Sequence, residues 1–264
     1  MLTDPDYFAS IRRESSRFAE CLSAAKGSER VPTCPDWNAD DLLWHLAEVQ
    51  LFWAAIVGDR LADPDAADAG KPERTSDHHA LLALFEHATA TLLDALTTTP
   101  RETEVWTWAA DQRVAFVIRW QAHEALMHRI DAELVNGAPS GIEPALASDG
   151  IEAALTLVYG DLPSWSTFTP DGTSGLIEAR NPATTWAIEL GRFTGTSPNT
   201  GNIYDRDMLV VLDGPQPTRS FTVRSDAAGL DRWLWGRAPA THLEVDGDPD
   251  AFARLKQLVA AGIQ

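Results

Sequence analysis

A glutamate and a histidine four positions apart, in the stretch QAHEALMHRIDAE (residues 121–133), are the residues best placed to do chemistry. The stretch contains no Gly or Pro and consists mostly of good helix formers, so it predicts a helix. At 3.6 residues per turn, Glu124 and His128 lie about 40° apart on one face of that helix. A carboxylate and an imidazole arranged in this way can share a divalent metal ion, but the site needs at least a third ligand.

The third ligand has to come from another helix. The stretch ADDLLWHLAEVQLFWAAIV, residues 39–57, predicts a second helix and places His45 on its apolar stripe. A helix bundle brings such inward-facing side chains from different helices together. We therefore predict a metal site of His45, Glu124 and His128 with at least one open position, which is typical of catalytic rather than structural zinc. The same donor types also suit iron, nickel and manganese.

Other interpretations of these residues stay open at the level of spacing. A histidine on an apolar stripe is often a core residue, and a Glu-x-x-x-His pair is often a surface pair. His123 lies about 140° around the helix from His128, so it cannot converge with it and is interpreted as a supporting or structural residue. Asp131 either orients a ligand imidazole or pairs with Arg129 or another surface cation. Cys34 precedes the second helix, where a thiol pKa can be lowered, but its two flanking prolines favour a buried, inert thiol.

The elements that must position these ligands form the first half of the chain. Apolar residues at helical spacing predict four amphipathic helices, which together indicate a bundle. The segment VPTCPDW is predicted to be a rigid connector, and residues 59–75 an exposed loop. The predicted helices cover residues 6–25, 39–57, 76–96 and 113–135.

Beyond a further helix at about residues 147–159, the apolar period changes from helical to alternating. The stretches TSGLIEAR and TTWAIEL predict paired strands with a turn at Asn181-Pro182, and MLVVLDG and RSFTVRS predict a second pair. A short helix, a strand in THLEVDGD and a terminal helix follow. The fold class is therefore α+β, with a helix-bundle domain over residues 1–145 and a smaller α+β domain over residues 146–264.

Composition limits the classes of partner. With 264 residues, 44% of them hydrophobic and 23% charged, the chain is that of an ordinary soluble globular protein. No apolar run approaches the ~20 residues that span a bilayer, and the N-terminus lacks a signal-peptide pattern, so a cytoplasmic location is expected. The net charge of −18 argues against nucleic acid and anionic membranes as partners. The two cysteines lack the spacing of a disulfide framework or a four-thiolate zinc site.

Three segments resemble one family, the mycothiol-dependent maleylpyruvate isomerases. VPTCPDWNADDLLWHLAEVQLFWAAIV and RWQAHEALMHRIDAELVNG resemble the family's second-helix and fourth-helix signatures, and GLDRWLWGRAPATHLEVDGDPDAFARLKQL is similar to its C-terminal segment. The resemblance implies a DinB-like four-helix bundle that carries the metal, followed by a sterol-carrier-like α+β domain. It also implies that the family's zinc ligands fall on His45, Glu124 and His128.

The resemblance further implies a cofactor and a reaction. The open metal position receives the thiol of mycothiol, an actinobacterial low-molecular-weight thiol, and the metal lowers its pKa. In the isomerase reaction the thiolate adds to a conjugated cis double bond, rotation follows, and elimination gives the trans isomer. Related members transfer the thiol to an electrophile instead. An anionic substrate needs a cationic contact, for which Arg237 is the first candidate and Arg232 the second, beside Trp233 and Trp235.

The expected partners are therefore a small-molecule substrate and the thiol, with the protein a monomer or homodimer. Two alternatives remain at this level. One is a metal hydrolase that uses no thiol. The other is a non-catalytic binding protein that retains the fold.

Overall fold

The chain divides into two compact units, Leu2–Ser140 and a second unit that begins at Gly141. The first unit is helical and the second contains a five-stranded sheet, which confirms the predicted α+β class and the order of its parts. The division falls slightly before the predicted domain boundary at residues 145/146. The structure is a computed structural model that describes residues 2–137, 139–198, 200–213 and 219–262.

Four long helices make up most of the N-terminal unit, and their bounds differ from the predicted ones by at most two residues. The predicted connector and the predicted loop are both more regular than expected from their composition. VPTCPDW contributes to a two-stranded antiparallel pair, and the loop 59–75 contains a short helix. The elements are α1 (Asp4–Ser23), β1 (Arg30–Val31), β2 (Cys34–Asn38), α2 (Ala39–Gly58), α3 (Pro64–Asp68), α4 (His78–Thr98) and α5 (Val114–Asn136).

The start of α2 is fixed by a reciprocal cap. The Asp41 backbone N–H donates to the Asn38 side chain (2.9 Å), and the Asn38 backbone N–H donates to the Asp41 carboxylate (2.9 Å). This arrangement satisfies two backbone donors that the first turn leaves without helical partners. Because the cap sets the first residue of α2, it also sets the direction in which His45 projects two turns later. The predicted N-cap at Asn38 is thus confirmed.

The core of this unit joins the four long helices. Phe18 of α1 and Phe85 of α4 lie with ring centroids 4.7 Å apart, and Leu42 of α2 and Ala132 of α5 belong to the same buried cluster. Among the described helices, α4 alone has the length and apolar composition of a membrane-crossing helix, a property that core helices of bundles share. The mutual burial of these apolar stripes holds α2 and α5 at a fixed separation.

Helices α2 and α5 run antiparallel. Thr33, which precedes α2, donates its hydroxyl to Asp131 in the C-terminal half of α5 (2.6 Å). At the other end, the backbone N–H of Trp106, which precedes α5, donates to the carbonyl of Leu61, which follows α2 (2.7 Å). Residues that follow His45 in α2 therefore lie beside residues that precede Glu124 in α5.

The strands of the C-terminal unit are β3 (Ser166–Arg180), β4 (Ala183–Thr196), β5 (Ile203–Val211), β6 (Phe221–Ser225) and β7 (Glu244–Gly247). They form one sheet with the strand order β5-β4-β3-β6-β7. The predicted turn at Asn181-Pro182 is confirmed, since β3 pairs with β4 up to Arg180 and Ala183 on either side of it. The predicted pairing of MLVVLDG with RSFTVRS is wrong.

The correct partners follow from the two edges of the β3–β4 hairpin. β5 extends the hairpin on the β4 side in antiparallel register, whereas β6 lies on the β3 side and is parallel to it. Alternation within a strand indicates which side chains face the core but not which edge the strand joins. Gly214, the last residue of the predicted strand MLVVLDG, lies outside the described residues.

Helices complete this unit. The predicted helix 147–159 begins earlier, at Pro144, and its last turn is π-helical. Its packing against the helix of the WLWGR segment is fixed by two hydrogen bonds, from Trp235 Nε1 to the Gly150 carbonyl (3.2 Å) and from the Tyr159 hydroxyl to the Leu234 carbonyl (2.6 Å). The helices are α6 (Pro144–Ala153), α7 (Ala227–Leu234) and α8 (Pro249–Gly262), with the π-helical turn at Ala154–Val158 and a 3₁₀ turn at Ala240–His242.

Candidate metal centre

The structure brings His45, Glu124 and His128 together. His45 projects from α2 and the other two from successive turns of α5. His128 Nε2 lies 3.3 Å and His45 Nε2 lies 3.9 Å from Glu124 Oε1. One ligand atom from each of the three lies within 4.8 Å of the others, and no other group of three or more His, Cys, Asp or Glu side chains in the described ranges converges in this way.

These separations suit one divalent ion. Metal bonds of about 2.0–2.1 Å in tetrahedral geometry separate neighbouring ligand atoms by about 3.3 Å. The Glu124–His128 separation already has this value, and small side-chain rotations would bring His45 to it. Two imidazoles and one carboxylate form a donor set that zinc and related divalent ions bind. The residues present therefore fit a metal ion.

The exposure of the three ligands is graded. The side chains of His128, Glu124 and His45 are 8%, 17% and 28% exposed, respectively. The cluster is thus sheltered on the α5 side and accessible near His45. A site of three protein ligands with an accessible side can admit a further ligand, whereas structural zinc sites are closed by four protein ligands.

Asp131 supports His128 from behind. His128 Nδ1 lies 3.0 Å from Asp131 Oδ2, and the Thr33 hydroxyl donates to Asp131 Oδ1 (2.6 Å). Asp131 is fully buried. The first of its two predicted roles, orienting a ligand imidazole, matches this geometry: a proton on Nδ1 leaves Nε2 free to face Glu124 and a metal.

His45 has a looser support. Its Nδ1 lies 3.9 Å from Glu48 Oε1, beyond hydrogen-bond distance, and Lys71 Nζ lies 3.7 Å from the other Glu48 oxygen. The ring of Trp37 packs against it, with centroids 4.7 Å apart, and lies 6.5 Å from the ring of His128. Trp37 therefore forms a wall beside both imidazoles.

Sequence reasoning missed Thr33 and Trp37. Both belong to the segment VPTCPDW, for which the sequence predicts only a rigid connector. The available signal was its position directly before α2, because a segment tied to the start of a ligand-bearing helix must lie near that ligand. The hairpin β1–β2 turns this proximity into contacts.

Electrostatic interactions within the cluster favour the charged forms of both Glu124 and His128. Burial alone would raise the pKa of Glu124, but interactions with His128 and His45 outweigh it and hold that pKa well below its usual range. Burial alone would lower the pKa of His128, but Asp131 and Glu124 accept from its two ring nitrogens and raise the pKa to about 9. Without a metal, His128 is therefore protonated on both ring nitrogens, and its imidazolium lies between the carboxylates of Asp131 and Glu124.

The remaining candidates lie elsewhere. His123 is fully buried and is absent from the three-residue cluster, as the helix geometry predicted. Cys34 has intermediate exposure in β2, so the prediction that it is buried is wrong. Cys34 packs against the buried core cluster from the two-stranded pair, and this short pair does not enclose it completely.

The predicted substrate contacts belong to the C-terminal unit. Arg237 donates through Nη1 to the carbonyl of Trp235 (2.7 Å), at the end of α7. Arg232 donates through Nε to the Ala228 carbonyl (3.2 Å), and Trp233 and Trp235 are each 3% exposed. A substrate role for Arg237 remains a prediction.

Comparisons with known proteins agree with this picture. Residues 8–133 match the Mycothiol maleylpyruvate isomerase N-terminal domain. No curated protein matches the chain. The fold is similar to the crystal structure of a mycothiol-dependent maleylpyruvate isomerase, with 17% sequence identity, a TM-score of 0.59 and coverage of 93% of each chain. A histidine-to-alanine mutant of such an isomerase gives 16% identity with the same TM-score and coverage.

Proposed function

We propose that this chain is a metal-dependent enzyme that uses mycothiol as cofactor or co-substrate, because its residues 8–133 match the N-terminal domain of mycothiol maleylpyruvate isomerases. The observation that supports this most directly is the convergence of His45, Glu124 and His128 within 4.8 Å. Zinc is the proposed ion, and metal analysis would distinguish it from iron, nickel or manganese, which accept the same donors.

In this proposal the side chains of the protein hold the metal ion and orient its ligands. His45, Glu124 and His128 would hold the ion, and Asp131 would keep the proton of His128 on Nδ1 so that Nε2 can bind. When bound, a divalent metal lowers the pKa of a coordinated thiol, so that a thiolate nucleophile is present near neutral pH. Trp37, packed against both imidazoles, would limit the directions from which water reaches the site.

The proposed reaction is isomerisation of a maleylpyruvate-like compound or transfer of the thiol to an electrophile. Both need the same activated sulfur, and they differ in whether the thiol leaves again. The proposed contact for an anionic substrate is Arg237, because a guanidinium can bind a carboxylate through two parallel hydrogen bonds.

Cobalt substitution tests the proposal. The protein is loaded with Co²⁺ and titrated with mycothiol while its visible and near-ultraviolet absorption is recorded. Direct sulfur coordination should produce a sulfur-to-cobalt charge-transfer band that saturates at about one thiol per chain. The His45→Ala variant, which lacks one ligand, is the matched control and should give no such band.

Two results would overturn the proposal. If Co²⁺ binds but no thiol band forms, the site does not activate thiols, and turnover that is indifferent to added thiol would favour a metal hydrolase. If neither Co²⁺ nor Zn²⁺ binds to the wild-type protein, the three-residue cluster is not a metal site.

A further inference from the structure

Gln121 is a buried polar side chain one turn before Glu124 in α5. It is 1% exposed, and neither its amide nitrogen nor its amide oxygen has a hydrogen-bond partner within the described part of the chain. A carboxamide offers two donors and an acceptor with two lone pairs, and buried groups of this kind are nearly always paired. An unpaired amide in a well-packed helix indicates that a molecule other than the chain completes its hydrogen bonds.

A second glutamine of the same unit shows what the bundle does when such a residue only supports packing. Gln50 of α2 is fully buried. Its Nε2 donates to the Ser15 hydroxyl (3.1 Å), and its Oε1 accepts from the Thr89 hydroxyl (2.6 Å). The three helices α1, α2 and α4 thus satisfy Gln50 themselves, whereas Gln121 has no such partners among the described residues.

The position of Gln121 connects it to the candidate metal centre. It precedes Glu124 by three residues and His128 by seven, so the three lie on one stripe of α5, within about 60° of each other. Neighbouring turns on such a stripe place Cβ atoms about 5–6 Å apart. A ligand held at the metal through one atom can therefore reach the amide with a group a few bonds away.

We propose that Gln121 is a binding residue for the thiol ligand, and that its carboxamide hydrogen-bonds a neutral amide or hydroxyl group of that ligand. This inference rests on the proposed function and deepens it. A carboxylate would use only the donors of Gln121 and an ammonium only its acceptor, whereas an amide or hydroxyl uses both. The negative charge of Glu124 one turn away also disfavours an anionic group at this position.

The test compares thiols with and without such a polar group. Zinc-loaded wild-type protein, Gln121→Leu and Gln50→Leu are titrated calorimetrically with mycothiol, with N-acetylcysteamine, which has a neutral amide near its sulfur, and with 1-propanethiol, which has none. Gln121→Leu should weaken binding of mycothiol and N-acetylcysteamine roughly tenfold, as expected for one or two hydrogen bonds, and leave 1-propanethiol unchanged. Gln50→Leu should leave all three affinities unchanged.

Thermal unfolding of the metal-free variants gives an independent readout with opposite expected signs. Gln50→Leu breaks satisfied hydrogen bonds and should lower Tm, because the Ser15 and Thr89 hydroxyls lose their partner. Gln121→Leu removes an unpaired buried amide and should leave Tm unchanged or raise it.

Three outcomes would overturn the inference. They are an unchanged affinity of Gln121→Leu for N-acetylcysteamine, an equal loss for 1-propanethiol, and a fall in Tm as large as that of Gln50→Leu. Failure of the proposed function is separate, since it appears in the wild-type titration as an absence of thiol binding altogether.

Discussion

Two buried polar clusters meet on α5 at adjacent residues, His128 and Arg129, and they differ in how their charges are balanced. Arg129 donates through Nε to Glu14 of α1 (2.8 Å) and through Nη1 to Glu133 (2.6 Å). Glu133 also accepts from Arg17 Nε (2.9 Å). This Arg129 cluster contains its own cations, and its hydrogen bonds join α1 to α5.

The metal-ligand cluster is built differently. Glu124 faces two imidazoles at 3.3 and 3.9 Å, and no lysine or arginine of the described chain lies within ion-pair distance of it. Its cation is either a proton on His128 or an ion from solution. A closed set of charges therefore stabilises the bundle, whereas convergent donors without a resident cation form a binding site for a cation.

The two clusters should differ most in how much they contribute to the free energy of unfolding. Arg129→Met leaves two buried carboxylates without their shared cation and should lower the free energy of unfolding by about 3–5 kcal/mol. The metal stoichiometry of the folded variant should not change. Urea denaturation of the metal-free protein measures the first quantity, and elemental analysis the second.

The matched control is Arg192→Met, which removes an exposed arginine that pairs with Asp205 and Asp207 on the sheet. Exposed pairs contribute about 0–1 kcal/mol, so this change should be small. A loss of similar size in both variants would contradict the assignment of the Arg129 cluster to folding.

Zinc affinity should depend on pH, because the metal and a proton compete for His128 in the metal-ligand cluster. A metal on Nε2 must displace the proton of His128, whose pKa is raised to about 9. Zinc affinity should therefore increase roughly tenfold per pH unit from about pH 7 and level off near pH 9. Competition with a chelator at several pH values measures it, and a flat profile over this range would show that His128 is not protonated in the metal-free protein.

The sign of the corresponding stability effect follows from the same raised pKa. In the metal-free protein, the contribution of protonated His128 is fully present below its ordinary pKa of 6.5 and is lost as pH rises through about 9. Arginine stays charged throughout, so the Arg129 cluster should contribute equally at both ends of the range.

A somewhat smaller effect is expected at the support of His128. Asp131→Asn removes the charge that accepts from Nδ1 and should weaken zinc binding by about 10–100-fold. Glu48→Gln is the natural comparison, because Glu48 lies 3.9 Å from His45 Nδ1 and should matter less. Measured zinc affinities of Asp131→Asn and Glu48→Gln show which carboxylate matters more. An equal loss of affinity in both variants would mean that the hydrogen bond between Asp131 and His128 has no special part in metal binding.

The smallest effect concerns Thr33, which is joined to the cluster by its hydrogen bond to Asp131. Thr33→Val keeps the side-chain shape and removes one hydrogen bond, worth about 0.5–1.5 kcal/mol. Zinc affinity should fall about two- to tenfold, less than in Asp131→Asn. A loss larger than that of Asp131→Asn would indicate that the hairpin β1–β2 acts on the site by another route.

Features of the helical unit that depend on periodicity could be predicted from the sequence. The four long helices and the stripe that carries Glu124 and His128 follow from 3.6-residue spacing. The N-terminus of α2, which sets the position of His45, is marked in the sequence by the cap residue Asn38. The convergence of His45 with the other two ligands followed from its apolar stripe, because inward-facing residues of a bundle meet.

What the sequence could not reveal depends on contacts between distant segments. Nothing in the spacing of Thr33 indicates that it bonds to Asp131, and nothing in Gln121 and Gln50 distinguishes a satisfied amide from an unsatisfied one. The pairing of β5 with β4 and of β6 with β3 likewise depends on which sheet edge is available, which alternation alone does not encode.

Metal content shows whether His45, Glu124 and His128 hold a metal ion. Wild-type protein and His45→Ala are equilibrated with the same free zinc concentration, desalted and analysed for bound metal. The structure predicts about one zinc ion per wild-type chain and a small fraction of that in the variant. Equal metal content in the two proteins, or none in the wild type, would show that these three residues do not hold a metal ion.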